Sequence, residues 1–97
     1  MKTLFLPLKS IWYNMISSGE KQEEYREIKP HWIKRICGGD TINTDDEGHI
    51  ITDITHIRFS YGYTKRTMTR EVEYIKIGKG KKEWGAPDYD VFIIKLK

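Results

Sequence analysis

The sequence predicts a small α+β fold, mainly β, in which about five strands form a β-barrel with two short helices at one side. Three observations lead to this prediction. The 97 residues include three Trp, six Tyr and three Phe, which supply enough large apolar side chains for one core. Helical patterns are confined to the first 39 residues, and β-rich runs dominate after residue 50. The length fits a single domain over residues 1–97.

The first elements are a strand and a helix. Residues 4–6 are apolar and precede Pro7, which predicts a strand that ends before a turn. Ser10 is the predicted N-cap of a helix over residues 11–18. In that helix the pairs Ile11/Met15 and Trp12/Ile16 are predicted to form one apolar stripe, and Gly19 to cap the end.

A second strand and helix follow. Residues 20–28 are predicted to be a strand, because Gly19 has just ended a helix and no further turn follows it. Pro30 suits the first turn of a helix that places Trp32, Ile33 and Ile36 inward and ends near Gly38.

The second half of the chain reads as β structure with loops between the strands. Residues 40–49 predict an exposed acidic loop and residues 50–59 a strand with Ile57 and Phe59 on one face. A turn at residues 61–63 leads to a strand at 68–77 whose alternation changes phase, which predicts a bulge near Tyr74 and Ile75. A basic loop at 78–82 and a turn at 84–87 precede a buried closing strand at 91–96.

The net charge of +3 is unevenly distributed. Residues 40–57 contain five acids and no Lys or Arg, so the rest of the chain carries +8. Basic surfaces attract phosphates, which makes nucleic acid or a nucleotide a candidate partner. Ordinary solubilising charge is the alternative interpretation.

Composition also excludes several classes. No stretch approaches the ~20 apolar residues of a membrane span, so no membrane partner is expected. The first eight residues lack the features of a signal peptide, and the single Cys37 fits a reducing compartment, so a cytoplasmic protein is predicted. Cys37 and the three His lack metal-ligand spacing, so we predict no metal and no cofactor. A monomer is favoured over an oligomer.

The densest chemistry lies where the first helix meets the second strand. Lys9 ends the first predicted strand, and Lys21, Glu24 and Arg26 follow Gly19. Cations beside a carboxylate suit a polar ligand, because Arg and Lys bind phosphates and Glu accepts from amino groups. Lys21 and Glu24 are also the candidate catalytic residues, as an acid–base pair. A solvated strand edge with salt bridges is the competing interpretation.

The run Gly19-Glu20-Lys21-Gln22-Glu23-Glu24-Tyr25-Arg26 resembles the G-x-K-x-x-E-x-R signature of the ASCH domain family, a relative of the PUA-like RNA-binding fold. The resemblance implies a PUA-like β-barrel with a cleft that holds RNA or a nucleotide-like ligand. Carried over by position, Lys21, Glu24 and Arg26 would line that cleft, with Lys9 beside them.

Some members of that family are enzymes, including a branch that hydrolyses acetylated cytidine and others with reported ribonuclease activity. The amidohydrolase branch has K-x-x-T where this chain has Lys21-Gln22-Glu23-Glu24. Its threonine is replaced by Glu24, and this departure argues against the same mechanism because a carboxylate does not replace an activated hydroxyl.

A second constellation combines aromatic and basic residues. If their rings are exposed beside the cleft, the aromatic members can stack on bases while the cations contact phosphates. If the rings are buried, they pack in the barrel instead. Its candidate binding residues are Arg58, Tyr61, Tyr63 and Trp84, with Lys65, Arg66, Lys79, Lys81 and Lys82 nearby.

Three functional hypotheses result. The first is a protein that binds RNA or a nucleotide-like ligand. The second is a hydrolase or ribonuclease that acts on a modified nucleoside or RNA, and the third is a protein-interaction domain.

Overall fold

A computed structural model, which describes residues 2–97, contains five strands in one curled half-barrel sheet together with two short helices. The predicted fold class, mainly β with about five strands and two helices, is therefore confirmed. The elements are β1 (Lys2–Leu8), α1 (Ser10–Ser18), β2 (Glu23–Arg26), α2 (Pro30–Cys37), β3 (Ile54–Tyr61), β4 (Thr67–Gly78) and β5 (Val91–Leu96), with a 3₁₀ turn at Lys82–Trp84.

The strands lie in the order β1-β3-β4-β5-β2. β1 runs parallel to β3, and every other neighbouring pair is antiparallel. β1 and β2 are therefore the two free edges of the half-barrel.

The helix α2 connects these two edges. Arg35 Nη2 donates to the carbonyl of Phe5 on β1 at 3.4 Å. The ring of Trp32, one turn earlier, lies 5.2 Å from the guanidinium carbon of Arg26 on β2. α2 thus contacts both edges of the half-barrel.

The predicted N-cap of α1 is wrong: the helix begins at Ser10, and the residue before it, Lys9, makes no side-chain capping hydrogen bond.

Two further details of the first elements differ from the sequence-based predictions. β1 does not end before Pro7 but runs through it, with Pro7 aligned opposite Ser60. A proline is tolerated there because β1 is an edge strand. In α1 the buried residues are Tyr13 and Ile16, whereas Ile11 is exposed, so the predicted stripe is wrong at its first position.

The predicted helix ends, the predicted bulge and the predicted exposed acidic segment agree with the structure. Gly19 and Gly38 both end their helices in the left-handed conformation, at φ 86° and 80°. The register of β4 shifts between Val72 and Tyr74, close to the predicted bulge. The acidic segment 40–49 is mostly exposed.

The core has two parts. The larger part fills the sheet's concave side with alternate residues of the strands, among them Leu4, Leu6, Ile57 and Phe59, and with the buried face of α1. The smaller part lies on the other face of β5, where Val91 and Ile93 pack with Tyr25, Ala86 and Trp84. β5 is thus buried on both faces, because the segment 79–90 covers its second face.

None of the helices within residues 2–97 has the length and apolarity needed to cross a membrane.

The segment that covers β5 depends on a glycine. A Cβ atom built on Gly80 would lie 2.3 Å from Tyr25 Cε1 and 2.8 Å from Ala86 Cβ. We therefore expect Gly80→Ala to destabilise the protein by about 1–3 kcal/mol in chemical denaturation, since the added methyl overpacks a closed contact.

Gly39 provides the matched control, because a Cβ there meets nothing within 4 Å. Gly39→Ala should change the free energy of unfolding by less than about 0.5 kcal/mol. Equal effects of the two substitutions would contradict this packing.

Candidate functional site

The end of α1 determines where Lys21 lies. Gly19 turns the chain with its positive φ, and the backbone N–H of Lys21 then donates to the carbonyl of Met15 at 2.9 Å. This hydrogen bond returns the chain across the helix end. β2 begins two residues later and pairs with β5, with Glu24 opposite Ile94.

Four neighbouring groups surround the Lys21 ammonium. It lies 3.1 Å from Glu24 Oε1 and donates to the backbone carbonyl of Trp84. The rings of Trp12 and Tyr25 lie 4.7 and 4.9 Å from it. Lys21 as a whole is only 2% exposed. Burial lowers its pKa, and the nearby Glu24 carboxylate opposes that shift.

Glu24 joins Lys21 to Arg26. Its other carboxylate oxygen, Oε2, lies 2.5 Å from Arg26 Nη1, and Glu24 is 4% exposed. Each carboxylate oxygen therefore has its own cation, which is the condition under which a buried charge is tolerated. We call Lys21, Glu24 and Arg26 the buried ion cluster.

The segment 79–86 covers the buried ion cluster. The backbone N–H of Lys81 donates to the Tyr25 hydroxyl at 3.0 Å, and that hydroxyl donates to Glu23 Oε1 at 2.8 Å. Burial raises the pKa of Tyr25. Gly85, in the left-handed conformation at φ 94°, lies against Trp12, and a Cβ there would approach that ring to 2.9 Å.

Arg26 is the most exposed member of the buried ion cluster, and it borders an open cleft. Its side chain is 17% exposed, and both of its protein hydrogen bonds leave from Nη1, to Glu24 Oε2 and to the Tyr25 carbonyl. Within residues 2–97 no buried side-chain nitrogen or oxygen lacks a partner, so the partnerless Nε and Nη2 of Arg26 must reach solvent.

The cleft beside Arg26 has a volume of about 280 Å³. Residues that sequence reasoning missed contribute to it, notably Glu27 and Tyr89, of which Tyr89 is 53% exposed. Sequence reasoning had no signal for either residue: alternation along β2 places Glu27 on the face opposite Arg26, and Tyr89 lies more than sixty residues away.

The structure separates the other predicted site residues from the buried ion cluster. Lys9 is exposed and precedes α1, where its carbonyl accepts from the N–H of Tyr13 at 3.1 Å. Arg58 lies on the exposed face of β3, with its guanidinium carbon 5.8 Å from the centre of the Phe5 ring.

The predicted aromatic residues divide into packed and exposed ones. Tyr61 is half-buried, with its ring edge-on to Tyr13 at 5.3 Å. Trp84 is half-buried in the smaller core, and the Lys81 ammonium lies 4.2 Å from its ring centre. Tyr63 is 97% exposed.

The tip of the β3–β4 hairpin lies beside Lys9. The N–H of Gly62 donates to the carbonyl of Leu8 at 2.7 Å, which joins the hairpin to the end of β1. Arg66 stacks on both Tyr13 and Tyr61, at 5.2 and 4.8 Å from their ring centres. We call the exposed residues at this end, Lys9, Tyr63, Lys65 and Arg66, the hairpin surface.

No acidic residue occurs in residues 8–19 or 58–70, which contain the hairpin surface and the parts of β1, α1 and β3 beside it. The hairpin surface is therefore a cationic region with one fully exposed aromatic ring. Such a combination is typical of contacts with single-stranded nucleic acid.

Within residues 2–97, no three His, Cys, Asp or Glu side chains are grouped so as to hold a metal ion. Comparison of the chain with protein-family models, with curated proteins and with solved structures finds no match. The resemblance to the ASCH family thus rests on the signature residues alone and stays a prediction.

The buried ion cluster yields a prediction about stability. Glu24→Gln leaves the Lys21 ammonium buried without a carboxylate, which we expect to cost about 3–5 kcal/mol. Lys21→Met should cost less, about 1–3 kcal/mol, because Glu24 keeps Arg26 as a partner. Denaturant unfolding at neutral pH measures both.

The order of the two effects is the critical result. A smaller loss for Glu24→Gln than for Lys21→Met would mean that Lys21 is solvated without its carboxylate, contrary to the geometry described here.

Proposed function

We propose that this protein binds RNA or a nucleotide-like ligand, with Arg26 as the principal donor in the cleft between β2 and the segment 85–91. One observation carries the proposal. Arg26 is held in place through a single nitrogen by Glu24, and its remaining donors, Nε and Nη2, have no partner among residues 2–97 and reach solvent.

The chemistry of the cleft supports a nucleotide-like ligand. A guanidinium presents a planar pair of N–H donors that matches a phosphate or the edge of a guanine. The exposed ring of Tyr89 offers a surface on which a base can stack. The Glu27 carboxylate, in the same cleft, accepts from a base amino group. This last role was expected for Glu24, whose two oxygens are already occupied.

The size of the cleft favours one nucleotide over several. Its volume of about 280 Å³ lies just below the volumes typical of ligand sites, which are about 300–1,000 Å³. Contacts with a longer strand therefore need a second surface, and the hairpin surface supplies the appropriate charge and an exposed ring.

α1 connects the two regions. Trp12 contacts Lys21 and Gly85, and the next residue, Tyr13, contacts Arg66. Both regions thus border the first turns of one helix. We propose that a single strand contacts the hairpin surface through its phosphates while one nucleotide occupies the Arg26 cleft.

No specific observation supports the enzymatic alternative, in which Lys21 and Glu24 act as an acid–base pair. A substrate would have to displace the Trp84 carbonyl from Lys21 and Arg26 from Glu24 before either group could transfer a proton. We therefore propose binding rather than turnover.

The Arg26 cleft is tested with four 5′-mononucleotides as probes. Arg26→Ala should weaken binding of the preferred one by about 10–100-fold, since a charged hydrogen bond is worth ~1.5–3 kcal/mol. Arg26→Lys keeps a cation beside Glu24 but loses the planar donor pair, so it should fold normally and still bind more weakly. Isothermal titration calorimetry measures these affinities.

Arg35→Ala is the matched control, because Arg35 also stacks on Trp32, at 5.3 Å, but does not line the cleft. It should leave the affinity within about twofold of the wild type, a difference of only ~0.4 kcal/mol. If no mononucleotide binds, or if the Arg26 and Arg35 variants lose affinity equally, the assignment of the cleft fails.

The hairpin surface is tested with a single-stranded RNA of about ten nucleotides. Each phosphate contact to a single strand contributes ~0.7 to the slope of log affinity against log salt. Lys65→Ala should reduce that slope by about this amount for the RNA and leave mononucleotide affinity unchanged. Lys34→Ala, which removes an exposed lysine from α2, should leave the slope unchanged. If Lys65→Ala does not alter the slope, the RNA does not contact the hairpin surface as proposed.

A further inference from the structure

Arg70 is an arginine on the core-facing side of β4. It aligns with the buried Ile57 of β3 and lies between Met68 and Val72, both of which pack against the larger core. Arg70 is half-buried. A charged side chain in such a position normally has a partner, because partial desolvation of the charge is costly.

No such partner exists within residues 2–97. Arg70 makes no salt bridge, and none of its side-chain nitrogens donates a hydrogen bond to the protein. Since no buried side-chain nitrogen or oxygen in this part of the chain is unsatisfied, the guanidinium nitrogens must be accessible from outside. Arg70 thus keeps its full set of donors available for a ligand.

The guanidinium borders a cleft of about 370 Å³ at the carboxyl end of α1. Ser17, Ser18 and Gly19 form one side of it, and the end of β5 forms the other. The Lys95 ammonium is held at this wall, 3.2 Å from both Gln22 Oε1 and the Leu96 carbonyl.

The charges of this cleft favour an anion. Lys21 is neutralised by Glu24, and the Lys97 ammonium lies 2.7 Å from Glu71. Among the side chains that line the cleft, two cations, Arg70 and Lys95, then remain against the carboxylate of Glu73. A forked guanidinium with an ammonium nearby matches the oxygens of a phosphate group.

We propose that this cleft is a phosphate-binding site, in which Arg70 is the forked donor and Lys95 and the Ser17 hydroxyl are its supports. The site is independent of the proposed nucleotide cleft, which is lined by Arg26, Tyr89 and other residues that do not border this one. The phosphate group is either free phosphate or part of a nucleotide, and the experiment distinguishes these two sources.

The probes are inorganic phosphate, a 5′-mononucleotide and acetate, each titrated at constant ionic strength into the full chain and followed by amide NMR shifts. Phosphate should give saturable shifts at residues 17–19 and 95–97, and acetate weaker ones or none. Arg70→Met, which keeps the aliphatic stem, should weaken phosphate binding at least tenfold. Arg70→Lys should fall between Arg70→Met and the wild type, because it keeps the charge without the fork.

Lys76→Met is the matched control, since Lys76 lies on the same strand near the Tyr74 ring and does not border the cleft. It should leave phosphate affinity within twofold of the wild type. Arg26→Lys should also leave it unchanged, which separates a failure of this site from a failure of the nucleotide cleft. If the mononucleotide shifts residues 17–19 more strongly than phosphate does, the phosphate is part of a nucleotide. Shifts spread over all cationic surfaces, or an unchanged affinity in Arg70→Met, would overturn the proposal.

Discussion

The enclosure of one ammonium group, that of Lys21, links more of this structure than any other contact. Its charge is tolerated at a buried position because the Glu24 carboxylate pairs with it and the Trp84 carbonyl accepts a hydrogen bond from it. These partners belong to segments that are sixty residues apart in the chain, and Trp12 of α1 adds a third. The helix α1, the strand β2 and the segment 79–86 are therefore held against one another by a single polar centre, around which the smaller core packs.

Lys21, Glu24 and Arg26 have different roles in this polar centre. Lys21 and Glu24 face inward, and the ammonium and both carboxylate oxygens contact protein partners. Arg26 hydrogen-bonds through one nitrogen, and its other nitrogens have no partner among residues 2–97. A donor held in this way loses little conformational entropy when it binds a ligand, which is the advantage of preorganisation. Arg26 is thus positioned by Glu24, which is itself held by the buried Lys21.

The sequence predicts the elements of this fold well because their signals are local. Glycines at helix ends and alternating apolar residues depend on a few neighbours, so α1, α2 and β5 lie close to their predicted bounds. The sequence does not predict the continuation of β1 through Pro7, because the edge position of that strand depends on the whole sheet. The site was harder to predict for the same reason. Residues 78–82 look like a free basic loop, yet Gly80 packs on Tyr25 and closes the region above Lys21.

Whether Lys21 is enclosed in solution decides between a structural and a ligand-binding role for it. Its accessibility can be measured by brief labelling of the folded protein with an amine-reactive reagent, followed by mass spectrometry of all twelve lysines. The account predicts that Lys21 is the slowest to react, that Lys79 and Lys81 react rapidly, and that this order disappears in denaturant. If Lys21 is labelled as fast as Lys81 in the folded protein, the ammonium is open to solvent and the central claim is wrong.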